Sequence, residues 1–275
     1  MALDKKKFYK GKSWGAMPIQ LGKNLPSLKL KYLLEVIKRR KDPAAKLLEI
    51  GCGSGRILAS IRERDKKINL TGIDLSAEQI RLAKQVNKGR EITFVQGDGQ
   101  KLPFKANSFD YVIFFDFLEH IDHPKQALSE IQRVLKKGGH LHFVCPAERQ
   151  SVYWASMKLF GRHFKEQTGG HVQQYTRKQL AEMVKNAKMK VVEQHYSYHT
   201  LGSLMDYGLF TTMLHPKVAQ QYWTANNFYA KNEKAKKKTI FNRLLTLGNG
   251  IAWAESSVFR KVPLTACAVH LTARK

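Results

Sequence analysis

The sequence predicts an α/β protein in which strands and helices alternate around a doubly wound, mainly parallel sheet. Three observations predict it. The run Leu47-Leu48-Glu49-Ile50 breaks into Gly51-Cys52-Gly53-Ser54-Gly55, and helical spacing then resumes with Ile57-Leu58, which reads as strand, tight turn and helix. Two later apolar runs, Ile68 to Asp74 and Ile92 to Asp98, each end in an aspartate. A further run, Phe109 to Phe115, is almost continuously apolar, as a parallel strand covered on both faces should be.

Residues 1–26 mix lysines with Phe8, Tyr9 and Trp14 between scattered glycines and prolines, and read as an irregular lead segment. From Ser27, which is placed to cap it, Leu28, Tyr32, Leu33, Val36 and Ile37 make one apolar helical face. Lys38-Arg39-Arg40-Lys41 suit that helix's C-terminus. After the glycine turn, a helix from about Ser54 points unpaired N–H groups at whatever lies over the loop. Asp74 stands 23 residues past Gly51, near the ~20 expected of a strand-end acid that accepts ribose hydroxyls. The competing role, capping the helix Ala77 to Asn87, is better filled by Ser76. Asp98 closes the third strand, and shaping the following turn is its alternative role.

The fourth strand runs into Asp116-Phe117-Leu118-Glu119-His120. If that segment is helical, Asp116, Glu119 and His120 share one face at the sheet edge where ligands of open α/β folds bind. Three roles stay open for the trio: His120 as a base, a divalent-metal site, or a tie between the turn and the next helix. Pro124 to Lys137 reads as an amphipathic helix closed by Lys136-Lys137-Gly138-Gly139. His140 to Cys145 reads as a fifth strand with His140 and His142 outward. Val152 to Phe160 and Thr176 to Lys188 are expected helices, Val191 to Tyr198 a sixth strand and Leu264 to Ala273 a last one. The loop from Gly169 to Tyr175 overhangs the same edge, so His171, Gln174 and Tyr175 are candidate substrate contacts. Some sixty residues before the last strand interleave Leu, Met and aromatics with the lysine run Lys231 to Lys238.

Composition bounds the rest. The 275 residues, 43% hydrophobic and 25% charged, suit one large soluble domain. Forty-eight Lys and Arg against 22 Asp and Glu leave +26, which should attract polyanions or anionic surfaces. No secretory h-region or membrane-span-length apolar run is present. Cys52, Cys145 and Cys267 are far apart and lack C-x-x-C spacing, which argues against a disulfide frame or a zinc site and fits a reducing cytoplasm.

The glycine loop decides between cofactors. A dinucleotide fingerprint wants a third glycine where Arg56 stands, and Glu49 would repel a pyrophosphate but suit an ammonium or sulfonium. An acid followed by G-x-G-x-G resembles the first motif of the class I S-adenosylmethionine-dependent methyltransferases. Leu118-Glu119-His120 is similar to the L-E-H turn of their small-molecule members. Asp116-x-x-Glu119-His120 is similar to the E-x-x-E-H of ubiquinone-biosynthesis O-methyltransferases, with Asp116 replacing the first Glu. The resemblance covers about Leu47 to Pro146 strongly and Thr176 to Tyr198 weakly.

It implies a Rossmann-like, seven-stranded sheet whose last strand is antiparallel between the fifth and sixth, and S-adenosyl-L-methionine as cofactor. Glu49, Gly51, Cys52, Gly53, Gly55, Asp74, Leu75, Gly97, Asp98, Gly99, Phe115 and Asp116 are the expected cofactor contacts. His120 and Asp116 are the expected catalytic pair, and no resident metal is assigned. The organisation expected is one methyltransferase domain over 1–275. It comprises a lead arm or lid (1–26), a cofactor-binding core (27–199 and 262–275) and a helical insertion (200–261) as a candidate substrate cap. A small-molecule or lipid-like methyl acceptor is expected in a cytoplasmic protein that the basic surface draws toward anionic membrane or nucleic acid. An RNA methyltransferase and a non-catalytic binding module are the alternatives.

Overall fold

The computed structural model describes residues 15, 17–22, 24–160, 170–212, 215, 217 and 240–275. Phe8, Tyr9 and Trp14, and in the insertion Tyr222, Trp223 and the lysine run 231–238, lie outside them. The elements are, in order, α1 (Leu25–Lys38), β1 (Lys46–Ile50), α2 (Arg56–Arg62), β2 (Asn69–Asp74), α3 (Ala77–Val86), β3 (Ile92–Gln96) and β4 (Phe109–Phe115). There follow a 3-10 turn (Leu118–His120), α4 (Pro124–Val134), β5 (Leu135–Pro146), α5 (Val152–Phe160), α6 (Arg177–Asn186), β6 (Lys190–Ser197), α7 (Thr200–Thr212), α8 (Ile240–Val258) and β7 (Ala268–Arg274).

The seven strands form one sheet in the order β3-β2-β1-β4-β5-β7-β6. Six run parallel, and β7 lies antiparallel between β5 and β6, as the resemblance implied. Because parallel strands are covered on both faces, each carries two apolar sets. Leu48, Ile50, Val112, Phe114, Leu141 and Phe143 pack under α4 and α6, while Leu47, Leu70, Tyr111 and Ile113 pack under α1, α2 and α3. The reversal of strand order lies between β1 and β4, so their C-terminal ends bracket the crevice where such sheets bind ligands.

Several expectations about boundaries are corrected. Asn24 caps α1, accepting from the Ser27 N–H, and helix begins at Leu25 because Pro26 suits the first turn. The helix expected to reach Lys137 stops at Val134. The Lys136–Gly139 stretch joins a bulged β5 because the Gly138 N–H donates to the Lys275 carbonyl and the Lys275 N–H to the Gly139 carbonyl, both at 3.0 Å. The third strand ends at Gln96 rather than Asp98, α2 starts at Arg56, and β7 starts at Ala268.

His142 is buried, not outward. Its Nδ1 pairs with Thr272 Oγ1 at 2.9 Å, and alternation along a central strand leads to the face beneath α1 rather than to water. There His195 and His270 flank the Tyr32 ring at 4.9 and 4.8 Å, and Ser197 Oγ meets His270 Nε2 at 2.7 Å. In the insertion, α8 lays Ala252 and Trp253 against Leu25, Leu28 and Tyr32 of α1, and α7 adds Leu201 and Met205.

Burial pushes His142 down to about 3 and His270 well below its ordinary value. As pH falls below the unfolded-chain value of about 6.5, only the unfolded chain takes these protons, so stability is lost toward the low folded value. His142 alone should cost about 2 kcal/mol between about pH 7 and about pH 5. In urea unfolding, His142→Gln is expected to reduce the acid loss by that amount; equal losses in parent and variant would contradict it.

Candidate functional site

The glycine loop is built by backbone hydrogen bonding to the neighbouring strand. The Gly51 and Cys52 N–H groups both donate to the Ile73 carbonyl, at 2.8 and 3.0 Å, and the Gly53 N–H donates to Asp74 Oδ2 at 2.8 Å. Gly53, at φ +51°, meets nothing nearer than Gln79 Oε1 at 3.9 Å on the side where a Cβ would stand, so its main chain is bare to a ligand. Gly55, at φ +76°, is glycine for another reason: a Cβ there would lie 2.5 Å from the Phe94 ring. Gly97 and Gly99 are likewise closed by Ile73 and by Ile50 and Phe117, so packing accounts for both. The described part of the lead segment meets the loop at two points, with the Gly15 carbonyl accepting from Ser54 Oγ at 2.6 Å and the Met17 carbonyl from Arg56 Nε at 2.9 Å.

Around this loop acidic side chains gather despite the basic surface. Glu49 is buried, its Oε2 has no hydrogen-bond partner, and burial and then Asp74 push its carboxyl well above the usual range. Burial, Glu49 and Asp74 push the Cys52 thiol up in the same way. Asp74 accepts from the Ser76 N–H at 2.9 Å as well as from Gly53, while Ser76 caps α3 as expected. A carboxylate offers about four lone-pair sites, so two remain for hydroxyl donors. Asp98 turns its Oδ1 to the Gln100 N–H at 2.8 Å, and Leu75 is exposed beyond β2. An orphaned buried acid, a second strand-end acid and an open glycine backbone fit a ligand that combines a cationic group with a polyhydroxyl ring.

At the end of β4 the expected helical face does not form. Asp116 adopts φ +50°, and the 3-10 turn begins only at Leu118. Asp116 is ion-paired with Lys29 of α1. Burial opposes the Lys29 charge, but Asp116, Tyr198 and Glu119 together hold the ammonium above its ordinary value; burial likewise opposes the Asp116 charge, and Lys29, with His120 and His171, holds that carboxyl below its own. Glu119 is buried and pushed up to about 8, by burial first and Asp116 second. The Glu119 carbonyl accepts from the Val172 and Gln173 N–H groups at 2.8 and 3.0 Å, and Tyr175 Oη donates to the Leu118 carbonyl at 3.1 Å. These bonds bring the His171 ring to 4.9 Å from that of His120. His120 Nδ1–H donates to the Gly170 carbonyl at 3.0 Å, so in the neutral ring Nε2 carries the lone pair.

The structure thus brings Glu49, Asp74 and the loop together at the ends of β1 and β2, and Asp116, Glu119, His120 and His171 together beyond β4. Phe115 is half-buried at the end of β4, opposite Val144. Sequence reasoning missed Lys29, whose helical position one residue past Leu28 reads as solvent-facing. It also missed Phe117, whose ring lies 3.4 Å from where a Cβ on Gly51 would stand. No spacing signal connects either residue to the site.

A family model described as a methyltransferase domain matches residues 48–143. A malonyl-acyl-carrier-protein O-methyltransferase of Paenibacillus sp. is 32% identical over 118 residues, 41% of this chain and 43% of that protein. A ubiquinone/menaquinone biosynthesis C-methyltransferase of Desulfotalea psychrophila is 28% identical over 186 residues, 62% of this chain and 75% of that protein. The chain spans less than half the length of the first of these relatives. The crystal structure of the cyclase SpnF superposes with a TM-score of 0.61 at 20% identity, covering 98% of this chain and 91% of that one. That likeness shows the shared fold alone, since one fold hosts many chemistries.

Gly55→Ala adds a left-handed-backbone cost to a steric clash with Phe94, together about 3 kcal/mol. Chemical denaturation should show that loss, and a change within about 0.5 kcal/mol would contradict the packing assigned to Gly55.

Proposed function

Because residues 48–143 carry the match to a methyltransferase domain of the class I S-adenosylmethionine-dependent kind, we propose that the whole chain binds S-adenosylmethionine and methylates a small-molecule or lipid-like acceptor. The observation that carries this reading is Glu49, a buried carboxylate with an unpartnered oxygen beside the open glycine backbone. When bound, S-adenosylmethionine supplies a methyl carbon that an acceptor nucleophile displaces in line from the sulfonium. The chain's part is to hold the two reactants in line and exclude water.

Glu49 faces the ammonium end and Asp74 the ribose hydroxyls. The Gly51–Gly53 backbone lies against the ligand. Asp98 faces the adenine, and Phe115 borders the methionine end. Glu119, His120 and His171 form the polar wall against which the acceptor's reacting atom is held. His120 retains the catalytic assignment. Asp116, neutralised by Lys29, becomes a positioning residue. Gly15 and Met17, beside Ser54 and Arg56, belong to a lid, and helices α7 and α8 to a cap over the acceptor.

The acceptor class is supported by the two relatives, one named for O-methylation of malonyl-acyl-carrier protein and one for C-methylation in quinone biosynthesis. No described helix is long and apolar enough to cross a membrane. The charge of +26 supports a working position beside an anionic surface, where a lipid-like acceptor would be met.

The test incubates the protein with methyl-labelled S-adenosylmethionine and separate lipid, small-molecule and RNA extracts. Label is expected in the lipid or small-molecule fraction; label in RNA alone would overturn the acceptor class. In calorimetry, Glu49→Gln is expected to weaken S-adenosylmethionine binding about tenfold or more, because it removes the charge and keeps the shape. An unchanged dissociation constant would remove Glu49 from the pocket.

A further inference from the structure

Beyond β4 and β5, Glu119, His120 and His171 each bring one ligand atom to within 4.8 Å of the others. We propose that these three side chains hold a divalent cation of the Zn2+, Mn2+ or Fe2+ kind, and that its open coordination positions take an oxygen of the methyl acceptor. The second half rests on the methyltransferase reading; the first does not.

Four features of the geometry carry the site. Glu119 and His171 are buried, and Glu119 Oε1 has no hydrogen-bond partner while lying 3.9 Å from His120 Nε2. A buried carboxylate beside two imidazoles is a donor set that suits a divalent cation. Metal bonds of ~2.0–2.2 Å to tetrahedral N and O ligands put those ligands ~3.5 Å apart, so side-chain rotation closes the present spacing. The His120 tautomer is already fixed for the purpose, because Nδ1–H is given to the Gly170 carbonyl and Nε2 faces Glu119.

The backbone holds the donors in register: the Glu119 carbonyl accepts from Val172 and Gln173, and Tyr175 Oη donates to the Leu118 carbonyl. The turn and the loop are therefore tied together. Asp116 is not in the set, since Lys29 already neutralises it.

Two imidazoles and one carboxylate select a cation that accepts nitrogen, in preference to Mg2+ or Ca2+, which take oxygen. Three protein ligands leave at least one position open. A hydroxyl or enol oxygen bound there would lose its proton to solvent more readily, as metal-bound water does. His120 would then act on the acceptor through the cation rather than as a free base, and the acceptor would be an oxygen nucleophile or an enolate.

The experiment uses the full chain, stripped with a chelator and dialysed. It is titrated with Zn2+ in a calorimeter and with Co2+ in a visible spectrometer, and S-adenosylhomocysteine is titrated in parallel. One Zn2+ per chain and ligand-field bands from Co2+ are expected. His171→Ala should weaken Zn2+ binding by about 100-fold while S-adenosylhomocysteine still binds. Glu119→Gln provides a second variant with the same expected loss. No saturable Zn2+ binding, or the parent's affinity in both variants, would overturn the proposal. S-adenosylhomocysteine heat without Zn2+ heat sinks the cation site alone. Zn2+ heat without S-adenosylhomocysteine heat supports the cation and sinks the methyltransferase reading of the acceptor.

Discussion

The closure of the glycine loop onto β2 is the constraint on which the rest of the site depends. Three consecutive N–H groups, from Gly51 to Gly53, are satisfied by the Ile73 carbonyl and the Asp74 carboxylate. With those donors committed, the loop cannot relax toward solvent, and its open face is presented at the crevice between β1 and β4. Glu49, one residue before the end of β1, is thereby sealed beneath the loop with no partner for Oε2. A carboxylate in that state costs stability unless it takes a proton or a cation arrives, which is why its carboxyl is pushed above the usual range.

The contrast between surface and pocket is physically informative. The chain carries +26, yet Glu49 and Asp74 make the loop region locally acidic. The surface charge and the acids of the loop therefore act over different ranges, because exposed charges are screened within ~8–10 Å in salt while buried ones are not. Beyond β4 the chain handles its acids differently. Lys29 neutralises Asp116, whereas Glu119 is left against two histidines.

The sheet was legible in the sequence wherever local pattern and tertiary demand agreed. The apolar runs of β1, β2 and β4, the Ser76 cap and the Thr176 capping box are all readable from neighbouring residues alone. The helix expected through Lys137 was not, because the competing interaction is a pair of hydrogen bonds to Lys275, at the far end of the chain. His142 was misplaced for a similar reason: period-2 alternation says which face a residue takes, but not whether a helix covers that face. The Asp116 face failed because a positive-φ residue ahead of a 3-10 turn rotates the acid away from helical register and toward Lys29. His171 was identified as an edge residue, yet its meeting with Glu119 and His120 depends on backbone bonds between segments fifty residues apart.

A crystal structure with S-adenosylhomocysteine bound is the measurement that bears most directly on the central claim. The ligand ammonium is expected within hydrogen-bond reach of Glu49 Oε2 and its ribose hydroxyls on Asp74, with the Gly51–Gly53 backbone against the ligand. Ligand density away from the glycine loop, or Glu49 still unpartnered beneath a bound ligand, would contradict it.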